Sequence, residues 1–223
     1  METSLHRQLK QLYAADGAQQ EVPLGEFRID VVDGDELIEI QHGGLSAIRD
    51  KIAKLVERHR VRVVKPLVVR KQLVKLDRPG GRVVSRRASP KQGAPLDVFH
   101  ELIYFTRVFP HANLILDTPL VAIEEWRCPG HGRRRRRRWR ENDYVVEDQR
   151  LVAIDGVPSY SSAADLWRIL PTDLPKPFHS GDLAAKMGIA RWIAQRVVYC
   201  LRHMGAVEEA GKAGNARLYR RSA

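Results

Sequence analysis

Cysteine is scarce in this chain, and long apolar runs are missing altogether. Two cysteines, Cys128 and Cys200, are too few for a disulfide framework and fit a reducing compartment. No stretch reaches the roughly 18 apolar residues of a spanning helix, and the polar N-terminus lacks the apolar core of a signal peptide. A cytoplasmic protein with no membrane partner is the expectation. Each cysteine is followed three residues later by a histidine, His131 and His203. The usual zinc pairing is Cys-x-x-Cys, and the second pair falls inside an amphipathic helix. A loop Cys128 and a buried Cys200 are therefore expected rather than zinc. The chain has no internal repeat and no sign of a pocket for a small-molecule effector.

What the chain does have is positive charge. Its 223 residues are 43% hydrophobic, enough to bury the core of one large or two small domains. The net charge is +11, with a pI near 10, which points to a polyanionic partner, nucleic acid before membrane. Arg133, Arg134, Arg135, Arg136, Arg137, Arg138 and Arg140 supply seven of those charges, leaving +4 for the rest. Such a block repels itself and reads as a solvated loop able to grip phosphates, with Trp139 available for stacking.

Residues 27–41 hold two apolar strands around an Asp-Gly turn, with Asp30 and Glu39 in the middle of each. Side chains on a strand alternate faces, and an even number of loop residues puts Asp30, Glu39 and Gln41 on one face. Ile29, Val31, Ile38 and Ile40 would then cover the other. Carboxylates on adjacent strands repel unless a cation neutralises them, and hard oxygen ligands suit magnesium or manganese. The Ile40 carbonyl could join Asp30 and Glu39 around such a metal, which would support hydrolysis of a phosphodiester. The bland alternative is a solvated hairpin with its acids facing water.

Further along, 61–77 is rich in β-branched residues and follows an amphipathic helix at 45–59, so 61–66 should pair parallel to the Glu39 strand. Residues 82–90 look like a short basic strand and loop, 97–105 a helix, 114–126 a strand interrupted at Pro119, and 144–154 its partner across the arginine loop. The sum is an α/β fold with a mixed sheet flanked by helices. Composition shifts at 155–162. Beyond it come a helix at 163–170, a short helix at 181–187 with Ser180 as its cap, a longer helix at 190–204 closed by Gly205, and a hairpin around 211–215.

The order of acid, hairpin, Glu-x-Gln and amphipathic helix resembles the PD-(D/E)XK, or restriction-endonuclease-like, nuclease superfamily. The resemblance implies a metal-dependent phosphodiesterase in which Asp30 is the motif Asp, Glu39 the motif Glu, and Gln41 stands in the Lys position. Glu2, at the start of a helix over 2–13, is the candidate for the helical acid. An amide cannot supply the charge of a lysine. In some members of the superfamily a basic residue of the next helix substitutes, and here that helix offers Arg49, Lys51 and Lys54.

The segment 161–221, with its helices and basic hairpin, resembles a winged helix-turn-helix domain. This implies duplex DNA as partner, with Arg191, Trp192, Gln195, Arg196 and Arg202 exposed on the recognition helix and Lys212 and Arg217 on the wing. Winged helices also mediate protein docking. The expected organisation is a nuclease-like domain over 1–156, with the Arg-rich loop at 128–142, and a winged-helix domain over 157–223. The expected function is a magnesium- or manganese-dependent DNA endonuclease. Cutting both strands with one active site would call for a homodimer or two successive nicks. The alternative is a catalytically silent DNA-binding protein that uses the nuclease fold as a scaffold.

Overall fold

The computed structural model describes residues 2–130 and 143–222, so the arginine run, Trp139 and His131 lie outside the described residues. Helix α1 (Ser4–Tyr13) is capped by Thr3, whose hydroxyl accepts from the His6 N–H, and buries Leu5 and Leu9 one turn apart. Strands β1 (Gln19–Leu24), β2 (Phe27–Asp33) and β3 (Glu36–Ile40) follow as an antiparallel meander. The turn between β2 and β3 has two residues, and Gly34 takes the positive φ of 57° that it needs. Strand β1 was not expected, since Pro23 and two glutamines mask its pattern.

After β3 comes α2 (Arg49–Leu55), shorter than the helix expected over 45–59 because a 3-10 turn at Leu45–Ala47 precedes it. Strand β4 (Arg60–Val64) pairs parallel to β3, as expected. The next two long β segments each break at a proline. Lys65-Pro66 separates β4 from β5 (Leu67–Leu76), and Thr118-Pro119 separates β7 (Leu114–Asp117) from β8 (Leu120–Pro129). Proline has no N–H to give the ladder, so each chain leaves one sheet there and enters another. One mixed sheet was expected ahead of the C-terminal hairpin; among the described residues these strands form two, both mixed. The first runs β1-β2-β3-β4-β7-β10, the second β6-β5-β8-β9, with β6 (Val83–Ala88), β9 (Tyr144–Gly156) and β10 (Ser159–Tyr160). Helix α3 (Val98–Leu102) lies between β6 and β7 in sequence.

Helix α1 lies along the edge of β9, where the Ser4 N–H donates to Asp148 Oδ1 (2.8 Å) and the Leu151 N–H donates to Gln8 Oε1 (2.9 Å). The helix thus covers one open backbone donor of this edge strand and takes the Asp148 carboxylate as a partner for its own N-terminal N–H. The C-terminal part holds a 3-10 turn at Asp165–Ile169 where a helix was expected, then α4 (Ser180–Met187), α5 (Arg191–His203) and the hairpin of β11 (Val207–Ala213) and β12 (Ala216–Arg221). The cap of α4 is His179 rather than Ser180. His179 Nδ1 accepts the Asp182 N–H (2.9 Å) and Asp182 returns a bond to the His179 N–H (2.8 Å), a reciprocal box that a serine one residue later cannot form.

Two apolar clusters hold the fold. One packs Leu5 and Leu9 of α1 on Val31, Ile38, Ile40, Val121 and Ile123. The larger one is continuous from Ile29, Leu37 and Val63 through Phe99 and Phe105 to Leu166, Leu183, Val197 and Leu201. It crosses the boundary expected at residue 156, and β10, just beyond that point, supplies the last strand of the first sheet. Cys128, expected in a loop, is buried in β8, and Cys200 is buried in α5 with its thiol pushed up to about 12 by burial. Among the described residues no helix is long and apolar enough to cross a membrane.

Candidate functional site

Register confirms the even turn: Asp33 faces Glu36, Val32 faces Leu37 and Val31 faces Ile38. Ladder pairing between β2 and β3 stops there, one step before Asp30 and Glu39. The strands part, and the two acids take over the freed backbone donors. Asp30 Oδ2 accepts the Ile40 N–H (2.8 Å), and Glu39 takes a backbone hydrogen bond from Asp30. The alternation also breaks at this point. Ile29 packs in the larger cluster with Leu37, not with Val31, Ile38 and Ile40 as expected, because β1 carries Glu21 with φ 56° opposite Asp30 and the paired strands turn over there.

The acids consequently do not share an open polar face. Asp30 meets α1, with His6 Nε2 3.4 Å from Oδ1. Burial works against its charge, but the bonds from His6 and Ile40 outweigh that and hold its carboxyl below the ordinary range. Glu39 meets α2: Lys51 Nζ is 2.6 Å from Oε1. Among the described residues no donor other than this ammonium reaches Oε1, which is buried. With 5% of its surface exposed, Glu39 is pushed up to about 7 by burial, despite the pull of Lys51, and the nearby Asp30 charge adds to the rise.

The three cations of the second helix separate clearly. Arg49 pairs with Asp50 and Lys54 with Glu26, both on the surface, and only Lys51 reaches the acids. Gln41 does not join them: its Nε2 donates to the Gly44 carbonyl (2.9 Å) and pins the loop that follows β3. Buried Lys65 holds the same loop by donating to the carbonyls of His42 (3.0 Å) and Gly43 (2.6 Å). Glu2 precedes α1 rather than opening it, and lies 2.6 Å from Lys10 and 3.6 Å from His6. Residues 2, 6 and 10 are spaced to line one helical face. His6, Lys10 and His42 were not singled out from sequence, although the i, i+4 spacing from Glu2 was a readable signal. Burial opposes the charge of Lys10, yet Glu2 and Glu21 outweigh it and raise its pKa. Beside this cluster opens a cavity of about 430 Å³ lined by Glu2, Thr3, His6, Glu21 and His42. Burial, with Lys65 next, lowers the pKa of His42 and keeps its imidazole neutral. Among the described residues no three His, Cys, Asp or Glu side chains form a ready-made metal cage.

The second candidate surface lies on α5. A groove of about 310 Å³ between α5 and the β11-β12 hairpin is lined by Arg191, Gln195, Tyr199, Arg202 and Arg217 among others. Glu209 pairs with both Arg202 and Arg217, so part of its charge is compensated. Lys212 is exposed and faces Arg217 across the hairpin. Trp192 is exposed, whereas Arg196, expected to be exposed, is half-buried. Both turn toward α3, which packs under α5: Arg196 bonds His100, and the Trp192 ring lies 5.7 Å from that of His100. If the groove meets DNA, Arg191→Ala and Arg217→Ala should each weaken binding and flatten its salt dependence by about one charge. Arg196→Ala should leave that slope intact and lower stability instead. A salt titration of duplex binding by anisotropy, beside thermal melts, checks both.

The fold and site together define a mixed α/β protein with an acidic pair, Glu39 buried and Asp30 half-buried, where two strands part. The chain belongs to the family described as "Domain of unknown function (DUF8091)", whose model matches residues 3–158 and so takes in Asp30, Glu39 and Lys51. An "Uncharacterized protein" of Treponema pallidum (strain Nichols) is 30% identical over 222 residues, covering 99% of this chain and 85% of that protein. No solved structure matches the chain.

Proposed function

We propose that this protein is a metal-dependent DNA endonuclease of restriction-endonuclease-like fold, with a C-terminal winged helix that positions the duplex. The observation that carries the reading is Lys51 at 2.6 Å from Glu39, across from Asp30. It places beside Glu39, from the next helix, the positive charge that Gln41 lacks, with the Asp30 charge near enough to act on the same carboxyl. The C-terminal reading rests on α4, α5 and the hairpin, with Phe178 bridged to Tyr219 as a short third strand.

A divalent ion fits the donor set in kind. Asp30, Glu39 and the Ile40 carbonyl offer only oxygens; among the described residues the Glu39 Oε1 meets no donor but Lys51, which already stands where positive charge is wanted. When bound, magnesium or manganese would polarise a phosphodiester and acidify a water. The chain's own part is to hold Asp30 ionised through His6 and Ile40, keep Lys51 beside Glu39, and fix the following loop through Gln41 and Lys65. The test is nicking of supercoiled plasmid in magnesium or manganese, with EDTA as control. Metal-dependent nicking lost in an Asp30→Asn, Glu39→Ala double variant supports the enzyme; DNA binding without nicking rejects it.

That second outcome would favour the silent scaffold, which has its own support in the pairing of Asp30 with His6 and of Gln41 with Gly44.

Acidity gives a further check. Glu39 must be ionised to hold a cation, and its pKa lies near 7. Nicking should therefore fall as pH drops through about 7, well above the range where exposed carboxylates titrate. Lys51→Met removes a neighbour that lowers the Glu39 pKa, so the same profile should move to higher pH. A profile that stays flat between pH 6 and pH 8, as roughly one unit either side of 7, would count against Glu39 as a ligand.

A further inference from the structure

A cavity of about 810 Å³ opens in the C-terminal part, on residues separate from the acidic site and from the α5 groove. Its volume is in the range of small-molecule sites. Trp167, Leu174, Phe178 and three prolines form its apolar wall, and Lys176, Arg220 and Arg221 stand around it. No aspartate or glutamate lines it. Arg220 is matched by Glu208 (2.6 Å), whereas Lys176 and Arg221 have no carboxylate partner among the described residues. The Arg221 guanidinium sits instead 5.3 Å from the centre of the Trp167 ring.

Two unmatched cations beside an apolar wall select by chemistry. A neutral hydrophobe would desolvate them without compensation, and an inorganic anion would leave the wall unused. We infer that this cavity binds a small organic monoanion with an apolar body, a carboxylate being the simplest. The carboxylate pairs with Lys176 and Arg221, and the body lies against Trp167, Leu174 and Phe178. On β12, Arg217 and Tyr219 line the α5 groove while Arg220 and Arg221, further along the same strand, line this cavity. The ligand therefore braces the hairpin that also walls the basic groove. The inference is independent of the endonuclease reading.

The test is calorimetric titration of the full chain with 2-naphthoate and with its neutral amide. Naphthoate should bind one per chain and the amide about tenfold more weakly, the size of one lost ion pair. The Lys176→Ala, Arg221→Ala variant should lose about tenfold for naphthoate and nothing for the amide. Ala210→Trp, which fills the cavity from the hairpin side, should abolish both, with circular dichroism confirming its fold. Asp30→Asn should bind naphthoate as the parent does. Equal affinity for acid and amide, undiminished binding in the charge variant, or no binding of either at millimolar concentration overturns the inference.

Discussion

Asp30→Asn should remove metal-dependent nicking by a factor on the order of a thousand while leaving DNA binding within about twofold. The magnitude follows from the several kcal/mol that a divalent ion contributes to the transition state, of which about 4 kcal/mol is a thousandfold in rate. The substitution is a narrow one. Asn is isosteric and its carbonyl oxygen can still accept the Ile40 N–H that Asp30 now accepts at 2.8 Å, so the parting of β2 and β3 is kept. What disappears is one negative charge. That loss also relieves repulsion on Glu39, whose ionisation becomes easier rather than harder. A dead Asp30→Asn enzyme therefore cannot be explained by a protonated Glu39. His6, which now contacts Asp30 Oδ1, would instead face the amide NH2, which donates and carries no charge, so that contact survives only with a neutral imidazole whose Nε2 accepts. Plasmid nicking, duplex anisotropy and a thermal melt on the same preparation separate the cases. Nicking within a few-fold of the parent would remove Asp30 from the metal site, and loss of both nicking and fold would show that its role is structural.

The hairpin of Asp30 and Glu39 was legible because its two-residue turn sets the register, and register sets which residues oppose each other. Its surroundings were not. Alternation predicts Ile29 beside Val31, but it cannot foresee that Glu21, on a strand hidden by Pro23, turns the paired chains over at Asp30. Nor does a single helix's pattern say which of Arg49, Lys51 and Lys54 meets an acid on the preceding strand; only the packing of α2 on the sheet decides that. The two prolines were visible, yet Pro119 read as an interruption within one strand and Pro66 only as the end of the stretch paired with the Glu39 strand. Both mark where a strand passes from one sheet to the other, which local propensity does not encode. The last two helices and the hairpin were legible from periodicity and from Gly205. The partner of α5 was not, since Arg196 looks solvent-facing until His100 of α3 is known to meet it.

That packing of α3 under α5 carries the second large effect. Phe99→Ala should cost about 3–5 kcal/mol, a large share of the roughly 5–15 kcal/mol that holds a protein of this kind. Phe99 is 1% exposed, and the Cys200 thiol of α5 approaches its carbonyl at 3.8 Å. The apolar cluster around it runs unbroken from the Ile29 strand to Leu201. A cavity opened at that point is shared by both halves and cannot be closed by shifting one of them. The parent should accordingly unfold in a single transition, and the variant should do so at lower urea with the same slope. Trp126 on the second sheet and Trp167 beyond β10 report separately on the two ends, so single-tryptophan variants can follow each. Coincident midpoints that fall together in Phe99→Ala would show that the acidic site and the α5 groove ride on one cooperative body. Separate midpoints, with only the Trp167 signal shifted, would show two bodies that merely touch, and the spacing between acids and groove would then be free to vary when DNA is bound.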